Sequence, residues 1–449
     1  MSDLHRRLYK RFRKLMLATL RQLPRLRRFT RRFYYGRRQR QYERRWRGLM
    51  VEEQTVFFEA YLGSSYACSP KALYESMVAD ERFAGWRFIW SFKDEVIKRA
   101  TELTHEGGPL CGAELVTRGS AAYFAACATA RYWVLNSRMP EWVYPKPEQV
   151  FVQCWHGTPL KRLGHDILIE TAAALNTSAE LRWRYAIDAA KWTYLLSPSP
   201  VYSKRITSAF ALDTLSTWPE RPVIIEEGYP RNDALACAPA PCQPQPQPPD
   251  NPGDECERLK ARLGLPPDRK VLLCAFTWRD SSYQASAGYT HAEENRLDLS
   301  AMRAAIGGEW VVLLRDHYLV GSRSDLAEQA DFAFEASDVF DINELYLVSD
   351  ALLTDYSSVL FDYANTLRPT IYFWPDFHHY ATELRGFYQD PAELPGDACT
   401  TTTEVIAAMT TLDTWQERHG EQLLHFKETY CPLDDGQATH RVIKRIFGA

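Results

Sequence analysis

The sequence predicts an α/β protein made of two successive domains, each built on a parallel sheet wrapped by helices. Three observations predict it. Short apolar runs alternate with helical patterns from Val51 to about Pro239, the same alternation resumes beyond residue 257, and a Pro-rich stretch at 238–256 separates the two. Strand and helix in alternation are the mark of a parallel sheet covered by helices. In such sheets ligands bind beyond the carboxyl ends of the strands.

The first 50 residues stand apart. They hold 18 Lys and Arg against Asp3 and Glu43, whereas the remaining chain carries 36 basic and 55 acidic residues. A basic head on an acidic body points to an anionic surface, either membrane or nucleic acid. Leu4, Leu8, Phe12, Leu15, Met16, Leu20 and Leu23 recur at helical spacing among the cations. That pattern favours a helix lying on an anionic membrane surface over a nucleic-acid arm. Pro24 is expected to kink or end it, with the basic character continuing to Arg47.

Residues 51–237 form the expected first domain. Strands are predicted at 55–63, 86–92, 113–120, 131–137, 150–157 and 192–199, with helices over "SPKALYESMVADE" and "SAAYFAACATA". The linker "APAPCQPQPQPPDNPGD" is extended and has no means of forming a core. Residues 257–449 form the expected second domain, with strands at 270–278, 309–317, 332–337, 351–358 and 369–376 and helices near 340–349 and 358–367.

Composition narrows the class. The apolar fraction of 45% and charged fraction of 25% are those of a globular protein. Ten cysteines without a C-x-x-C pair or zinc spacing read as scattered thiols of a reducing compartment. No apolar run approaches the roughly 18 residues needed to span a bilayer, and a secretory signal is not recognisable. A cytoplasmic location is therefore expected. Phosphate-loop, dinucleotide, zincin and serine-hydrolase motifs are all missing from the sequence.

Polar clusters fall where strands end. "FVQCWHGTPLKRLG" places Trp155, His156, Gly157 and Thr158 after an apolar run, with Lys161 and Arg162 following. Histidine is suited to take a proton near neutral pH; a structural histidine bonded to a backbone carbonyl is the alternative. "VVLLRDHYLV" sets Arg315, Asp316 and His317 at another strand end, able to neutralise phosphate oxygens or simply face solvent. "DALLTDYSSVLFDYA" stops a strand at Thr354 and Asp355, turns through Ser357 and Ser358, and enters a helix bearing Asp362. Ser hydroxyls and free helical N–H groups suit a phosphate, and Asp362 is spaced to reach ribose hydroxyls beside it. The plain alternative is a serine N-cap. Near the linker, "GYPRNDAL" offers Arg231, Asn232 and Asp233, lining the cleft or forming a turn.

Taken together, "CWHGTPLKRLG", "GYPRNDAL", "AFTWRD", "LLRDHYLV", "VFDINELYLVSDALLTDYSSVLFDYANTLRPTIYF", "RGFYQD" and "CPLDDGQATHRVI" resemble, in order, the CDP-glycerol glycerophosphotransferase family. The resemblance runs from about Val56 to Ile443. It implies a glycosyltransferase-B-like architecture, two Rossmann-like domains facing across a cleft, with acceptor mainly on the first and CDP-alcohol mainly on the second. It also implies transfer of glycerol phosphate or ribitol phosphate from CDP-glycerol or CDP-ribitol to a hydroxyl, with release of CMP and without a metal or other cofactor. The acceptor would be a lipid-linked saccharide or a polyol phosphate, presented at the inner face of the membrane where residues 1–47 attach; no nucleic acid is expected. By motif match, His156 takes the place of the catalytic base and His317 that of a second important histidine. Arg315, Thr354, Asp355, Ser357, Ser358 and Asp362 would bind donor, while Trp155, Gly157, Thr158, Lys161, Arg231 and Asn232 would line the acceptor side. The competing readings are a glycosyltransferase or epimerase that uses another nucleotide sugar, and a non-catalytic scaffold.

Overall fold

A computed structural model describes residues 24–167, 178–214, 223–236, 252–276, 297–315, 329–377 and 386–448. Two wholly parallel sheets organise it. The first contains β1 (Glu52–Glu59), β2 (Arg87–Phe92), β3 (Glu114–Thr117), β4 (Ala130–Leu135), β5 (Val150–Gln153), β6 (Tyr194–Ser197) and β7 (Val223–Glu226), in the order β3-β2-β1-β4-β5-β6-β7. The second contains β8 (Lys270–Ala275), β9 (Trp310–Arg315), β10 (Ala333–Glu335), β11 (Ala351–Thr354), β12 (Thr370–Phe373) and β13 (Asp397–Cys399), in the order β10-β9-β8-β11-β12-β13. In each sheet the strand order reverses beside the first strand, leaving a crevice at the carboxyl ends where ligands bind. The two-domain Rossmann-like expectation is met.

These strands form because their residues are apolar without alternation. Phe57, Phe58, Val271, Leu272, Leu313 and Leu352 are fully buried, as strands sandwiched between helix layers require. Each core is split by its sheet into two layers. Helix starts are set by side-chain caps. Ser120 and Ser199 each accept from the backbone N–H three residues on, and Thr401 with Glu404 forms a capping box.

Four boundaries differ from expectation. The helix Ala438–Phe447 returns to the first domain, where Val442 and Ile443 join its core and Phe447 stacks on Tyr132 with ring centroids 4.6 Å apart. An amphipathic helix near a chain end goes to whichever apolar face is open, and the linear order does not say which. Leu235 already packs in the second domain's core, before the linker. The linker's end at 252–256 lies within the helix Pro252–Arg262, and 238–251 lie outside the described residues. The basic head is not one separate segment either. The helix Pro24–Tyr42 docks on the first domain, with Tyr42 buried against Phe124 and Tyr35 stacked on Trp183 at 6.1 Å. The amphipathic stretch before Pro24 lies outside the described residues. Among the described residues no helix is long and apolar enough to cross a membrane.

Candidate active site

The site is assembled where loops leave the carboxyl ends of β1, β4 and β5. At the end of β5, the buried Gln153 side chain accepts a hydrogen bond from the Trp155 N–H at 2.9 Å, which turns the chain back sharply. Trp155 adopts a left-handed conformation, φ +49°. Its indole stacks on the His156 ring at 4.5 Å and meets Phe210 edge-on at 5.1 Å, so the imidazole has a fixed wall on one face. The His156 Nδ1 lies 2.7 Å from the carbonyl of Asn136, at the end of β4. A carbonyl only accepts, so Nδ1 carries the proton and Nε2 is left as the acceptor. Asn136 is itself held, because its Oδ1 accepts from the Tyr61 N–H at 2.7 Å.

Tyr61 and Leu62, after β1, also have positive φ, +49° and +59°. Non-glycine residues in that region cost about 1 kcal/mol or more each. Three such residues around one imidazole show that packing holds this loop cluster in a conformation its local preferences oppose.

His156 is exposed to solvent, with the Trp155 indole covering one face of its ring. The packed surroundings push its pKa down to about 4, and the charges of Arg231 and Arg138 add to this, against the bond to Asn136. Water on the open face works in the opposite sense. The net result is a neutral imidazole at physiological pH, ready to accept a proton.

The second domain meets this turn with the end of β11. Thr354 spends its hydroxyl on the Ala275 carbonyl at 2.6 Å, and Asp355 is fully buried with its carbonyl accepting from the Trp374 indole. These two anchor the turn rather than face the cleft. Ser357 and Ser358 emerge from it, half-buried. Ser357 Oγ accepts weakly from the Val359 N–H at 3.5 Å, and Ser358 caps nothing with its side chain. The helix that follows, Val359–Tyr363, is only five residues long. Gly157, with φ +155°, touches this turn: a Cβ there would lie 2.7 Å from Ser358 Oγ. The structure therefore brings His156, Gly157 and Ser358 together from two domains. Beside them the loop 160–162 pairs with 386–388, through Arg162 N–H to the Gly386 carbonyl and Tyr388 N–H to the Leu160 carbonyl. Lys161 bridges to Phe387 in this pairing, and Thr158 is buried beneath it.

Other expected site residues turn inward. Arg231 forms a buried ion pair with Asp362 at 2.8 Å, and Asn232 bridges Asp362 at 3.0 Å and Asp434 at 2.6 Å. Asn365 reaches the same Asp434 oxygen at 3.1 Å. Asp362 Oδ1 accepts from Arg231 and Asn232, so this residue takes part in an interdomain lock. Arg231 and Asn232 are both buried in that network, 5% and 0% exposed. Arg315 sits half-buried at the end of β9 and donates to the Ala336 and Val339 carbonyls. His317 and Asp316 lie outside the described residues.

Sequence reasoning missed Asn136, Tyr61 and Arg138. A signal existed, since "RYWVLNSR" is another apolar run ending in polar residues, one strand away from His156. Among the described residues, no three His, Cys, Asp or Glu side chains converge as metal ligands would.

Known proteins resemble this chain in sequence and fold. The model of the family described as CDP-glycerol:poly(glycerophosphate) glycerophosphotransferase matches residues 41–448. The chain belongs to that family. It is 37% identical over 401 residues to a teichoic acid poly(glycerol phosphate) polymerase of Bacillus subtilis (strain 168), covering 89% of this chain but only 49% of that protein. The chain thus spans about half the length of that relative. A teichoic acid glycerol-phosphate transferase of Staphylococcus aureus is 35% identical over 399 residues, 89% of this chain and 94% of its own. Among solved structures, the wall teichoic acid polymerase TagF superposes with a TM-score of 0.74 at 33% identity, covering 89% of each chain. Family membership covers both halves of the site, since the matched range includes His156 and the Ser357–Ser358 turn.

Proposed function

We propose that this chain transfers glycerol phosphate from CDP-glycerol to a hydroxyl of a polyol-phosphate or lipid-linked acceptor, releasing CMP, in the synthesis of a teichoic acid-type polymer. The observation that carries this reading is the meeting of a neutral His156, its Nε2 free to accept, with the Ser357–Ser358 turn of the other domain. The acceptor hydroxyl gives its proton to Nε2 as its oxygen bonds to the phosphorus that bears glycerol. The phosphorus–oxygen bond to the cytidine phosphate breaks, and CMP leaves with the electron pair. Such transfers need positioning and charge neutralisation more than covalent chemistry. Ser357 and Ser358 would hold the donor phosphates, and Arg315 with His317 would meet the charge developing on CMP. A metal-independent reaction is part of this reading, and undiminished turnover in EDTA is its expected result.

Glycerol is favoured over ribitol by the extent of likeness. Glycerol-phosphate enzymes match over 89% of this chain, whereas a teichoic acid poly(ribitol-phosphate) polymerase matches over 42% at 32% identity. The deciding measurement is CMP release by the purified chain with CDP-glycerol and CDP-ribitol, each with and without acceptor. Acceptor-dependent release from CDP-glycerol is expected; release from neither donor defeats the proposal.

Attachment to the inner face of the membrane belongs to the same reading. The helix Pro24–Tyr42 presents Phe29 and Phe33, 69% and 62% exposed, beside Arg31 and Arg32. Apolar side chains among cations suit an anionic headgroup layer. Removing the whole basic head would uncover the core around Tyr42, so the cleaner variant is Phe29→Ser with Phe33→Ser. It is expected to weaken binding to phosphatidylglycerol vesicles, and undiminished binding would refute the attachment.

A further inference from the structure

Beside His156 lies a cavity of about 670 Å³, walled among the described residues by the first domain alone. It is charged, with four cations against the two carboxylates Glu141 and Asp188. Three of the cations are engaged. Arg118 donates to the buried Glu59 at 3.1 Å, Arg184 pairs with Glu141 at 3.2 Å, and Lys191 donates to the Pro140 carbonyl at 2.8 Å.

Arg138 differs. Among the described residues it donates no hydrogen bond; its guanidinium lies over the Tyr185 ring at 4.1 Å and comes only to 3.9 Å from Asp188 Oδ2. Asp188 Oδ2 is buried and accepts no hydrogen bond either. A cation and a buried carboxylate oxygen thus share one cavity with His156 as a loose ion pair, with no hydrogen bond between them. A buried polar atom without a partner costs about 1–3 kcal/mol, so such a pair persists where a ligand completes it. Arg138 also belongs to the machinery of the base. It lies two residues beyond Asn136, which orients His156, and its charge is one of those that depress the His156 proton affinity.

The chemistry of the pair selects the ligand. A planar guanidinium binds phosphate through two parallel N–H groups. A carboxylate would repel a phosphate but accepts from an alcohol. A group that satisfies both is a phosphate with a hydroxyl-bearing carbon chain attached. We propose that Arg138 anchors the acceptor's terminal phosphate, with Asp188 taking a neighbouring polyol hydroxyl, so that the next hydroxyl along reaches His156. This rests on the transfer reaction proposed above and makes Arg138 a residue that selects acceptors already carrying a polyol phosphate.

The test is calorimetric binding of a synthetic di(glycerol phosphate) to the full chain, with CDP-glycerol titrated in parallel. Binding needs no turnover, so a failure of CMP release would count against the reaction without deciding this site. Arg138→Gln is expected to weaken the oligomer about tenfold or more, the scale of a lost charge-assisted pair, while leaving CDP-glycerol within about twofold. Arg138→Lys should recover part of the loss as a point charge. Asp188→Asn should weaken the oligomer but not inorganic phosphate, which has no alcohol to offer. Wild-type protein that ignores the oligomer, or Arg138→Gln that binds it unchanged or loses CDP-glycerol equally, would overturn the proposal.

Discussion

The two faces of the cleft treat charge in opposite ways. On the first-domain face, His156 is neutral with an acceptor nitrogen unspent, Arg138 makes no hydrogen bond among the described residues, and the backbone at Tyr61, Leu62 and Trp155 is strained. Across the seam, Arg231, Asn232, Asp362, Asn365 and Asp434 are joined to one another by an ion pair and hydrogen bonds in a buried network. One group of polar residues faces the cavity and solvent; the other is tied together within the fold. Polar residues at strand ends therefore divide by what they touch, and the two groups should fail differently when altered.

The largest effect is expected at the open face. His156→Ala removes the proton acceptor and should lower CMP release by about 10²–10⁴-fold, the range of general-base catalysis, with CDP-glycerol affinity little changed. Equal loss of donor affinity would show that His156 holds the donor instead. The closed face should answer in stability. Arg231→Met leaves the Asp362 carboxylate buried and unpaired, which costs about 3–5 kcal/mol, whereas replacing both partners with apolar residues is closer to neutral. Urea unfolding of Arg231→Met, Asp362→Leu and the double variant measures this. Additive losses would dissolve the distinction between the two faces.

This division explains how much of the site was legible. Parallel strands buried on both faces leave long apolar runs, so β1, β8, β9 and β11 stood out, and the turns after β5 and β11 with them. β7 and β13 did not. β7 offers only Val223, Ile224 and Ile225, and β13 is the edge segment Asp397–Cys399, a strand by virtue of its pairing to β12. Whether a charged side chain faces the cleft or a partner depends on contacts distant in sequence. Arg231 and Asp362 lie 131 residues apart, and nothing local distinguishes them from ligands. The same holds for Thr354, whose partner is a carbonyl of the neighbouring strand 79 residues away.

The pH response sharpens the contrast further. An unperturbed histidine titrates near 6.5; the packed surroundings and the two arginines bring His156 down to about 4. Its base form is present above the folded pKa and lost as pH falls through it. CMP release should therefore hold level down to about pH 5 and decline only below, with the acid limb well under that of a free histidine. In the window between the folded and unfolded values the unfolded chain binds more protons, so stability also falls as pH drops through it. Arg138→Gln removes one of the depressing charges and should move the acid limb upward. A limb at the ordinary histidine value in both proteins would contradict the placement of His156.

The smallest effects probe the contact where the two faces touch. A methyl group at Gly157 would stand 2.7 Å from Ser358 Oγ, on a backbone that side chains rarely adopt. Gly157→Ala must push the two turns apart by a few tenths of an ångström, and misplacement on that scale is expected to cost about tenfold in turnover. Ser358→Ala should weaken CDP-glycerol only about two- to tenfold, the worth of one hydrogen bond. Its Cβ would still lie 3.2 Å from the added methyl, so the combined variant relieves the clash in part. The double variant should therefore lose less than the two single losses multiplied, because removing the hydroxyl clears the space that the methyl needs. Simple multiplication of the losses would mean that the turns do not meet in solution, and that His156 and the serines act on substrates held further apart.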